Sequence, residues 1–195
     1  MPLLNTEGKY IVLASQSPRR IELLKKIISD FDIKASDINE QDNGFTSPSQ
    51  LVEELARRKA EKAAQEVTDG LIIAADSVVV CEGQILGKPQ HADDSRRMLK
   101  LLSGKTHQVY SGFAVIRKPQ GPTILEHEMT RVTFRQLEDW EIERYIASGQ
   151  PQDKAGAYGI QDDAAVFVES LVGCYYNVMG LPLTKLFLVL KEFLT

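Results

Sequence analysis

Short apolar runs alternate along the chain with stretches in which apolar residues recur every three or four positions. The run at 10–14, YIVLA, is typical of a strand that is buried on both faces. After this run, apolar residues recur at helical spacing, at Ile21, Leu24, Ile27 and Ile28. Ser17 and Pro18 lie between the two segments, and they are expected to cap and open the first helix.

The same patterns predict the rest of the elements. Three further helices are expected over 48–67, 93–102 and 137–148, and a terminal helix is expected from Pro182 onward. Strands are expected over 71–80, about 106–117, 123–134 and 164–169. Ser47 and Gln50 have the spacing of a capping box, and Gly104 suits a left-handed helix end. Because βα units and a long hairpin both occur, we expect an α/β fold with a mixed sheet, and we expect residues 1–195 to form a single domain.

Composition and charge narrow the function classes. The chain has 195 residues, of which 43% are hydrophobic and 26% charged, and its formal net charge is −4. These values are typical of a globular protein, and the negative charge argues against stable nucleic-acid binding. The start, MPLLNTEGKY, does not resemble a signal peptide, and no apolar stretch reaches the roughly 18 residues of a membrane span. We therefore expect a cytoplasmic protein without membrane association.

The junction between the first strand and the first helix is rich in hydrogen-bond donors. The sequence SQSPRR places two serine hydroxyls and two guanidinium groups beside a helix N-terminus, where free backbone N–H groups favour an anion. Arg19 and Arg20 match phosphate oxygens in geometry. The alternative is an ordinary capped helix with two solvated arginines. The chain lacks the Walker pattern G-x-x-x-x-G-K-[ST], so a P-loop is excluded.

Asp76 lies inside the otherwise apolar strand LIIAADSVVV. An unpaired charge there would be costly, so the carboxylate is expected to meet a metal, a cation or a hydrogen-bonding partner. A structural pair with an arginine is one reading. A general base or a metal ligand at the end of the sheet is the other.

Further charged residues lie in segments that could converge on Asp76, namely Glu40, Lys59 and Lys88. On charge alone, a surface role is the expected alternative for any one of these residues. Cations bind phosphates and carboxylates hold hard divalent ions, so the set taken together suits phosphate chemistry. The three histidines lack zinc-ligand spacing and are expected at the surface or in hydrogen bonds. Trp140 and Tyr145 are expected in the core.

Taken together, the motifs resemble the Maf family of nucleoside triphosphate pyrophosphatases, historically linked to septum formation, and most closely its dTTP/UTP-hydrolysing branch. The matching segments occur in family order from residue 13 to residue 183. They are LASQSPRRIELL, INE, ELARRKA, AADSVVV, ILGKP, LSGKTHQVYSG, VTFRQL, EIERYIASGQPQDKAGAYGIQ and YYNVMGLPL. The resemblance implies a curved mixed sheet flanked by helices with a central cleft, related to inosine triphosphate pyrophosphatases. It also implies hydrolysis between the α and β phosphates.

The resemblance implies a role for nine residues. Asp76 matches the proton acceptor, and the substrate-specificity positions fall at Arg19, Ser77 and Gln161. The phosphate-binding positions fall at Ser15, Arg20, Lys59 and Lys88. Glu40 matches the acidic partner of Asp76, and the two carboxylates would hold Mg²⁺ or Mn²⁺. Whether Asp76 takes the proton itself or orients a metal-bound water is left open.

Some positions depart from the family pattern. Ser77 replaces the more usual threonine, Asn39 stands where an aspartate commonly precedes Glu40, and Asp162 follows Gln161 where glycine is common. These departures bear on the base preference and on the loop around Gln161. The rival functions are a purine or modified-nucleotide pyrophosphatase, a phosphatase, and a non-catalytic regulator of cell division. The oligomeric state also stays open, with a homodimer as one option.

Overall fold

The structure, a computed structural model, describes residues 3–6, 8–36, 38 and 47–194. In this part of the chain six α-helices alternate with seven strands. The helices are α1 (Pro18–Lys25), α2 (Pro48–Ala64), α3 (Ala92–Leu102), α4 (Asp139–Ala147), α5 (Tyr175–Val178) and α6 (Leu183–Leu194). The strands are β1 (Ile11–Leu13), β2 (Asp32–Ile33), β3 (Gly70–Cys81), β4 (Gln84–Leu86), β5 (Thr106–Lys118), β6 (Thr123–Phe134) and β7 (Val168–Val172).

The strands form one sheet in the order β2-β1-β3-β5-β6-β7, with β4 paired to β3 outside this order. β1 runs parallel to both β2 and β3, and its Ile11 lies opposite Leu71. β4 runs antiparallel to β3, and β7 runs antiparallel to β6. Parallel and antiparallel pairs therefore occur together, which confirms the mixed α/β class.

The chain divides into two compact units. The first consists of Met1–Asp76, Ser111–Glu128 and Gly180–Thr195, and the second of Ser77–Tyr110 and Met129–Met179. The expectation of a single domain stays a prediction.

In the first unit, α2 packs on the sheet through small side chains. Ala56, Ala60 and Ala63 are buried in a cluster with strand residues such as Val12 and Ile72. Small residues allow a helix backbone to approach a sheet closely. The approach is close at Gly112 of β5, where an added Cβ would lie 2.6 Å from the carbonyl carbon of Val52. This glycine therefore determines how near α2 comes to the strands.

In the second unit, aromatic rings pack edge to face. The rings of Phe134 and Tyr158 are 4.7 Å apart between centroids, and those of Tyr145 and Phe167 are 5.4 Å apart. His107 packs against both Phe134 and Tyr158. Such contacts add to the burial of apolar area in stabilising a core. Tyr158 belongs to the glycine-rich segment at 151–161, PQDKAGAYGIQ, and this segment therefore rests on a well-packed aromatic cluster.

Several helix ends differ from the expectation. Neither Ser17 nor Ser47 caps its helix through its side chain, and the hydroxyl of Ser47 is instead hydrogen-bonded to that of Ser49. Helix α3 begins after His91, whose Nδ1 accepts a hydrogen bond from Asp94 N. The left-handed conformation of Gly104 is confirmed, with φ of 69°.

The strand expected at 164–169 is wrong over its first part. Residues Asp163–Phe167 form a 3₁₀ helix, and β7 begins only at Val168. The reason is local, because the side chain of Asp162 accepts a hydrogen bond from Ala164 N and starts the helical turn. The short elements β2 and α5 were not expected either.

The tryptophan expected in the core is at the surface. Trp140 is 60% exposed, and its indole N–H donates to Glu138 within the first turn of α4. Among the helices of the described residues, none has the length and apolarity that crossing a membrane requires.

Candidate functional site

Asp76 and Lys59 form a buried ion pair in the first unit. Asp76 is 8% exposed and Lys59 is 9% exposed. Lys59 Nζ lies 2.5 Å from Asp76 Oδ1. Asp76 is therefore paired with a lysine, and not with an arginine as in the structural alternative. The family resemblance places this lysine among the phosphate-binding residues. The pair places a carboxylate and an ammonium group together where water is largely excluded.

The sequence of α2 explains why Lys59 faces the sheet. Leu55, Ala56, Ala60 and Ala63 are buried, and Lys59 falls within this buried stripe of the helix. Glu54 lies on the more exposed side, where Arg57 and Arg58 hold its pKa at about 2 through hydrogen bonds and charge. Arg57 also pairs with Glu61, so these four charged residues of α2 are paired among themselves.

The junction between β1 and α1 is ordered by a serine. Ser15 is buried, and its Oγ accepts a hydrogen bond of 3.2 Å from Ser17 N. Pro18 occupies the first turn of α1, as expected, and Ile21 N donates to Ser17 O. The hydroxyl of Ser15 thus holds the backbone where the strand turns into the helix.

The two arginines of this junction are both half-buried. Arg20 donates from Nε to the carbonyl oxygen of Gly180 at 2.8 Å, which ties α1 to the segment before α6. Neither side chain is fully solvated, which contradicts the alternative of an ordinary capped helix with two solvated arginines. Ser15, Arg19, Arg20, Lys59 and Asp76 all belong to the first unit.

The remaining described candidates belong to the second unit. Ser77 is half-buried in β3, whereas Lys88, after β4, and Gln161 are exposed. Gly156 N donates to Gly87 O at 3.0 Å, so the glycine-rich segment is joined to the chain directly before Lys88. Glu40 lies outside the described residues.

The close packing of the glycine-rich segment requires glycine at one position. Gly156 has φ of 69°, and an added Cβ would lie 2.8 Å from Val79 Cγ2. A larger residue would be strained in this conformation and would also collide with β3. The glycine-rich character of the segment therefore reflects its contact with the strand.

Tyr145 and Asp162 belong to a polar network that was not predicted from the sequence. Tyr145 is buried, as expected, but its hydroxyl also donates to Asp162 Oδ1 at 3.0 Å and accepts from Gly159 N at 3.2 Å. The aspartate after Gln161, where the family commonly has glycine, was the one available signal. A charged residue in place of glycine next to a specificity position indicates a local contact.

His107 is buried and not at the surface. It is 1% exposed, and its Nε2 is hydrogen-bonded to the hydroxyl of Tyr158 at 2.8 Å. Burial lowers the pKa of His107 to about 4, so the imidazole is neutral at pH 7. Its role as a hydrogen-bonding residue is confirmed.

The described residues contain no group of three or more His, Cys, Asp or Glu side chains that could hold a metal ion on its own. Mg²⁺, however, is usually bound in proteins by one or two carboxylates together with phosphate oxygens and water. Asp76, a buried carboxylate beside a cation that can also attract phosphate, fits such a shared site.

Comparisons with known proteins agree over nearly the whole chain. A family model described as Maf-like protein matches residues 10–193. The dTTP/UTP pyrophosphatase of Alkaliphilus metalliredigens (strain QYMF) is 50% identical over 183 residues, 93% of this chain and 95% of that protein. That of Bacillus cereus (strain B4264) is 46% identical over 185 residues, 95% and 96% of the two chains.

Solved structures resemble the fold at low sequence identity. The Ham1 protein of Staphylococcus aureus aligns with a TM-score of 0.56 at 16% identity, over 95% of this chain and 100% of that one. A HAM1 protein from Coxiella burnetii aligns with a TM-score of 0.52, also at 16% identity, over 94% and 99%. At this identity the likeness concerns the fold alone.

Proposed function

The chain belongs to the Maf-like protein family, and from this premise we propose that it hydrolyses nucleoside triphosphates, with dTTP and UTP preferred, between the α and β phosphates. The observation that carries the enzymatic part is the buried pair of Asp76 and Lys59. The preference for dTTP and UTP is supported by the names of relatives that are 45–50% identical over nearly the whole chain.

The reaction consumes one water molecule for each nucleotide. The water oxygen bonds to a phosphorus while the bridging P–O bond between the α and β phosphates breaks. The products are a nucleoside monophosphate and pyrophosphate. Asp76 accepts the proton that the water loses, and this proton later passes to solvent. The step requires a positioned water and strong neutralisation of charge on the phosphates.

Lys59 has two parts in this proposal. Before substrate binds, its ammonium group compensates the charge of Asp76, which allows a carboxylate to persist at 8% exposure. When a triphosphate is present, the same ammonium group attracts a phosphate oxygen. Asp76 is then paired less closely with Lys59 and can accept the proton of the attacking water.

The other candidates take roles that their chemistry suits. Ser15, Arg20 and Lys88 bind phosphate oxygens, for which hydroxyl, guanidinium and ammonium groups are good donors. Arg19, Ser77 and Gln161 determine which base is accepted. An amide such as that of Gln161 both donates and accepts hydrogen bonds, so it can distinguish the edges of two bases of the same size.

A divalent cation, Mg²⁺ or Mn²⁺, would be held by Asp76 and Glu40 and would neutralise charge on the phosphates when bound. Glu40 is assigned this role because its sequence position resembles that of the family's acidic partner of Asp76.

The test is release of pyrophosphate from a panel of nucleoside triphosphates with Mg²⁺ or Mn²⁺. We expect dTTP and UTP to be cleaved fastest and pyrophosphate to be the only inorganic product. Asp76→Asn should lower the rate by about 10²–10⁴-fold, the usual contribution of a general base. Asp69→Asn, at an exposed aspartate just before the same strand, is the matched control and should leave the rate unchanged.

Each rival function has its own outcome in this assay. Orthophosphate as the product would indicate a phosphatase, and faster cleavage of purine nucleotides would indicate a different base preference. A folded protein that cleaves none of the nucleotides would refute the enzymatic proposal.

A further inference from the structure

A carboxylate holds the turn that carries Gln161. Asp162 N donates to Gly159 O at 3.2 Å and closes the turn over 159–162. After the turn, Asp162 Oδ1 accepts from Ala164 N at 3.0 Å. At the start of the turn, Asp162 acts through Tyr145, whose hydroxyl donates to Oδ1 at 3.0 Å and accepts from Gly159 N. Gln161 therefore lies between two backbone positions that one aspartate holds in place.

The second oxygen of this carboxylate faces a lysine. Lys154 Nζ lies 3.4 Å from Asp162 Oδ2, and the two side chains are only 11% and 17% exposed. Lys154 also donates to Gln150 O and pairs with Asp153 Oδ1 at 2.8 Å. The Oδ2 atom itself is buried and accepts no hydrogen bond among the described residues. Its charge is thus balanced by the lysine at a short distance.

The turn is closed tightly on this pair. A Cβ added at Gly159 would lie 2.3 Å from Asp162 Oδ2 and 2.7 Å from Lys154 Cε. Gly159 N in turn donates to the hydroxyl of Tyr145. Burial, followed by the charge of Asp162, raises the pKa of Tyr145, so the phenol keeps the proton that it donates to the carboxylate.

We propose that Asp162, held by Tyr145 and Lys154, is a positioning residue that fixes the orientation of Gln161 and thereby sets the discrimination between uracil and cytosine edges. This inference rests on the proposed function, since it takes Gln161 as a residue that contacts the base. Asp162 itself need not touch the substrate.

The chemistry of the bases explains why orientation matters. Uracil and thymine present an acceptor at O4 and a donor at N3, whereas cytosine presents a donor at N4 and an acceptor at N3. A glutamine amide matches either pattern, depending on which way its oxygen and nitrogen point. Gln161 is exposed, so a loosely held turn would let it adapt to both bases. A rigid turn favours one.

The test compares kcat/KM for UTP with kcat/KM for CTP, two nucleotides of equal size. Asp162→Asn keeps the side-chain shape but turns an amide toward Lys154. We expect the UTP-to-CTP ratio to fall about tenfold, because the ion pair with Lys154 is lost and the hydrogen bonds from Tyr145 and Ala164 N no longer have a charged acceptor. The fall should come mainly from a higher KM for UTP, with kcat little changed. Asp163→Asn, whose carboxylate contacts Gln150, is the matched control and should keep the ratio.

A double-mutant cycle separates positioning from general destabilisation. Because Asp162 acts through Gln161, the variant with both Asp162→Asn and Gln161→Ala should have the same ratio as Gln161→Ala alone. The inference is overturned if Asp162→Asn keeps the wild-type ratio, if the two effects simply multiply, or if Gln161→Ala leaves the ratio unchanged. A wild-type protein that cleaves no nucleotide would instead refute the proposed function.

Amide hydrogen exchange tests the positioning without any activity. Exchange at Gly159 and Ala164 should be at least about tenfold faster in Asp162→Asn, because both amides depend on the Asp162–Tyr145 network. Tyr145→Phe, which retains the ring, should speed exchange at Gly159 to a similar extent. Unchanged protection at both amides in the two variants would overturn the inference whatever the activity.

Discussion

Lys59→Met tests how much the buried ion pair of Lys59 and Asp76 stabilises the protein. Methionine has a similar length and fills a similar volume, but it removes the ammonium group that lies 2.5 Å from Asp76 Oδ1. Asp76 is 8% exposed, so its carboxylate would lose its compensating cation in a place that water hardly reaches. We expect a large loss of stability at pH 7.

The distance and the burial give the magnitude. For unit charges 2.5 Å apart, Coulomb's law with an effective dielectric constant of about 20 gives an attraction of about 7 kcal/mol. The cost of removing both groups from water offsets much of this attraction. Breaking a buried pair by deleting one partner typically costs about 3–5 kcal/mol, which is the loss we expect for Lys59→Met. Asp76→Asn should cost a similar amount, because it removes the negative charge beside the buried ammonium group of Lys59.

The double variant separates stability from activity. With Lys59→Met and Asp76→Asn together, neither charge of the pair remains, and replacing both partners of such a pair is often nearly neutral. The double variant should therefore be more stable than either single variant, which requires a coupling free energy larger than the loss of about 3–5 kcal/mol in one single variant. Its pyrophosphatase activity should nevertheless remain lost.

Equilibrium unfolding in urea, followed by circular dichroism, measures the four free energies of unfolding. Pyrophosphate release is measured on the same samples. Losses of stability that simply add in the double variant would refute the description of Lys59 and Asp76 as a coupled buried pair. A double variant that regained activity would refute the role of Asp76 as proton acceptor.

Three further predictions follow from the packing and the titration of particular residues. The buried imidazole of His107 has a pKa of about 4, whereas a histidine in the unfolded chain has a pKa near 6.5. Between about pH 6.5 and pH 4 the unfolded state therefore binds more protons, and lowering the pH favours unfolding. Stability should therefore fall by about 2–3 kcal/mol from pH 7 to pH 4.5, and His107→Gln should show a smaller fall in parallel urea titrations. Gly112→Ala would place a Cβ 2.6 Å from the backbone of Val52. It should lower the free energy of unfolding by about 1–3 kcal/mol and lower the activity by displacing α2. An unchanged free energy of unfolding would contradict this packing. Glu141→Ala removes the capping box with Glu138 and should cost about 1–2 kcal/mol, measured as a lower Tm than that of the wild type.

The order of helices and strands was largely accessible from the sequence. The apolar run at 10–14, the periodic segment of α2 and the β-branched run of β3 all indicated the elements that form. These signals are local, because alternation and helical spacing record which side chains are buried. The family resemblance was also accessible, since its motifs are contiguous segments of the chain.

Local signals failed where a side chain or a neighbouring strand decided the outcome. The run at 164–169 has strand-like composition, but Asp162 starts a 3₁₀ turn within it. The strand that follows, β7, exists because it pairs with β6. Trp140 was expected in the core, yet it lies on the exposed face of α4. Composition alone does not say which face of a short helix meets the rest of the protein.

The sequence by itself identified Asp76 as a charge in an apolar strand that had to be compensated. Only the tertiary structure decided that Lys59, 17 positions earlier on α2, is the residue beside it. Likewise, Gln161 was recognisable from its motif, whereas its support by Asp162, Tyr145 and Lys154 was not. The physical reason is the same in both cases. A pattern along the chain shows that a buried charge needs a partner, but the choice of partner depends on distances that only folding sets.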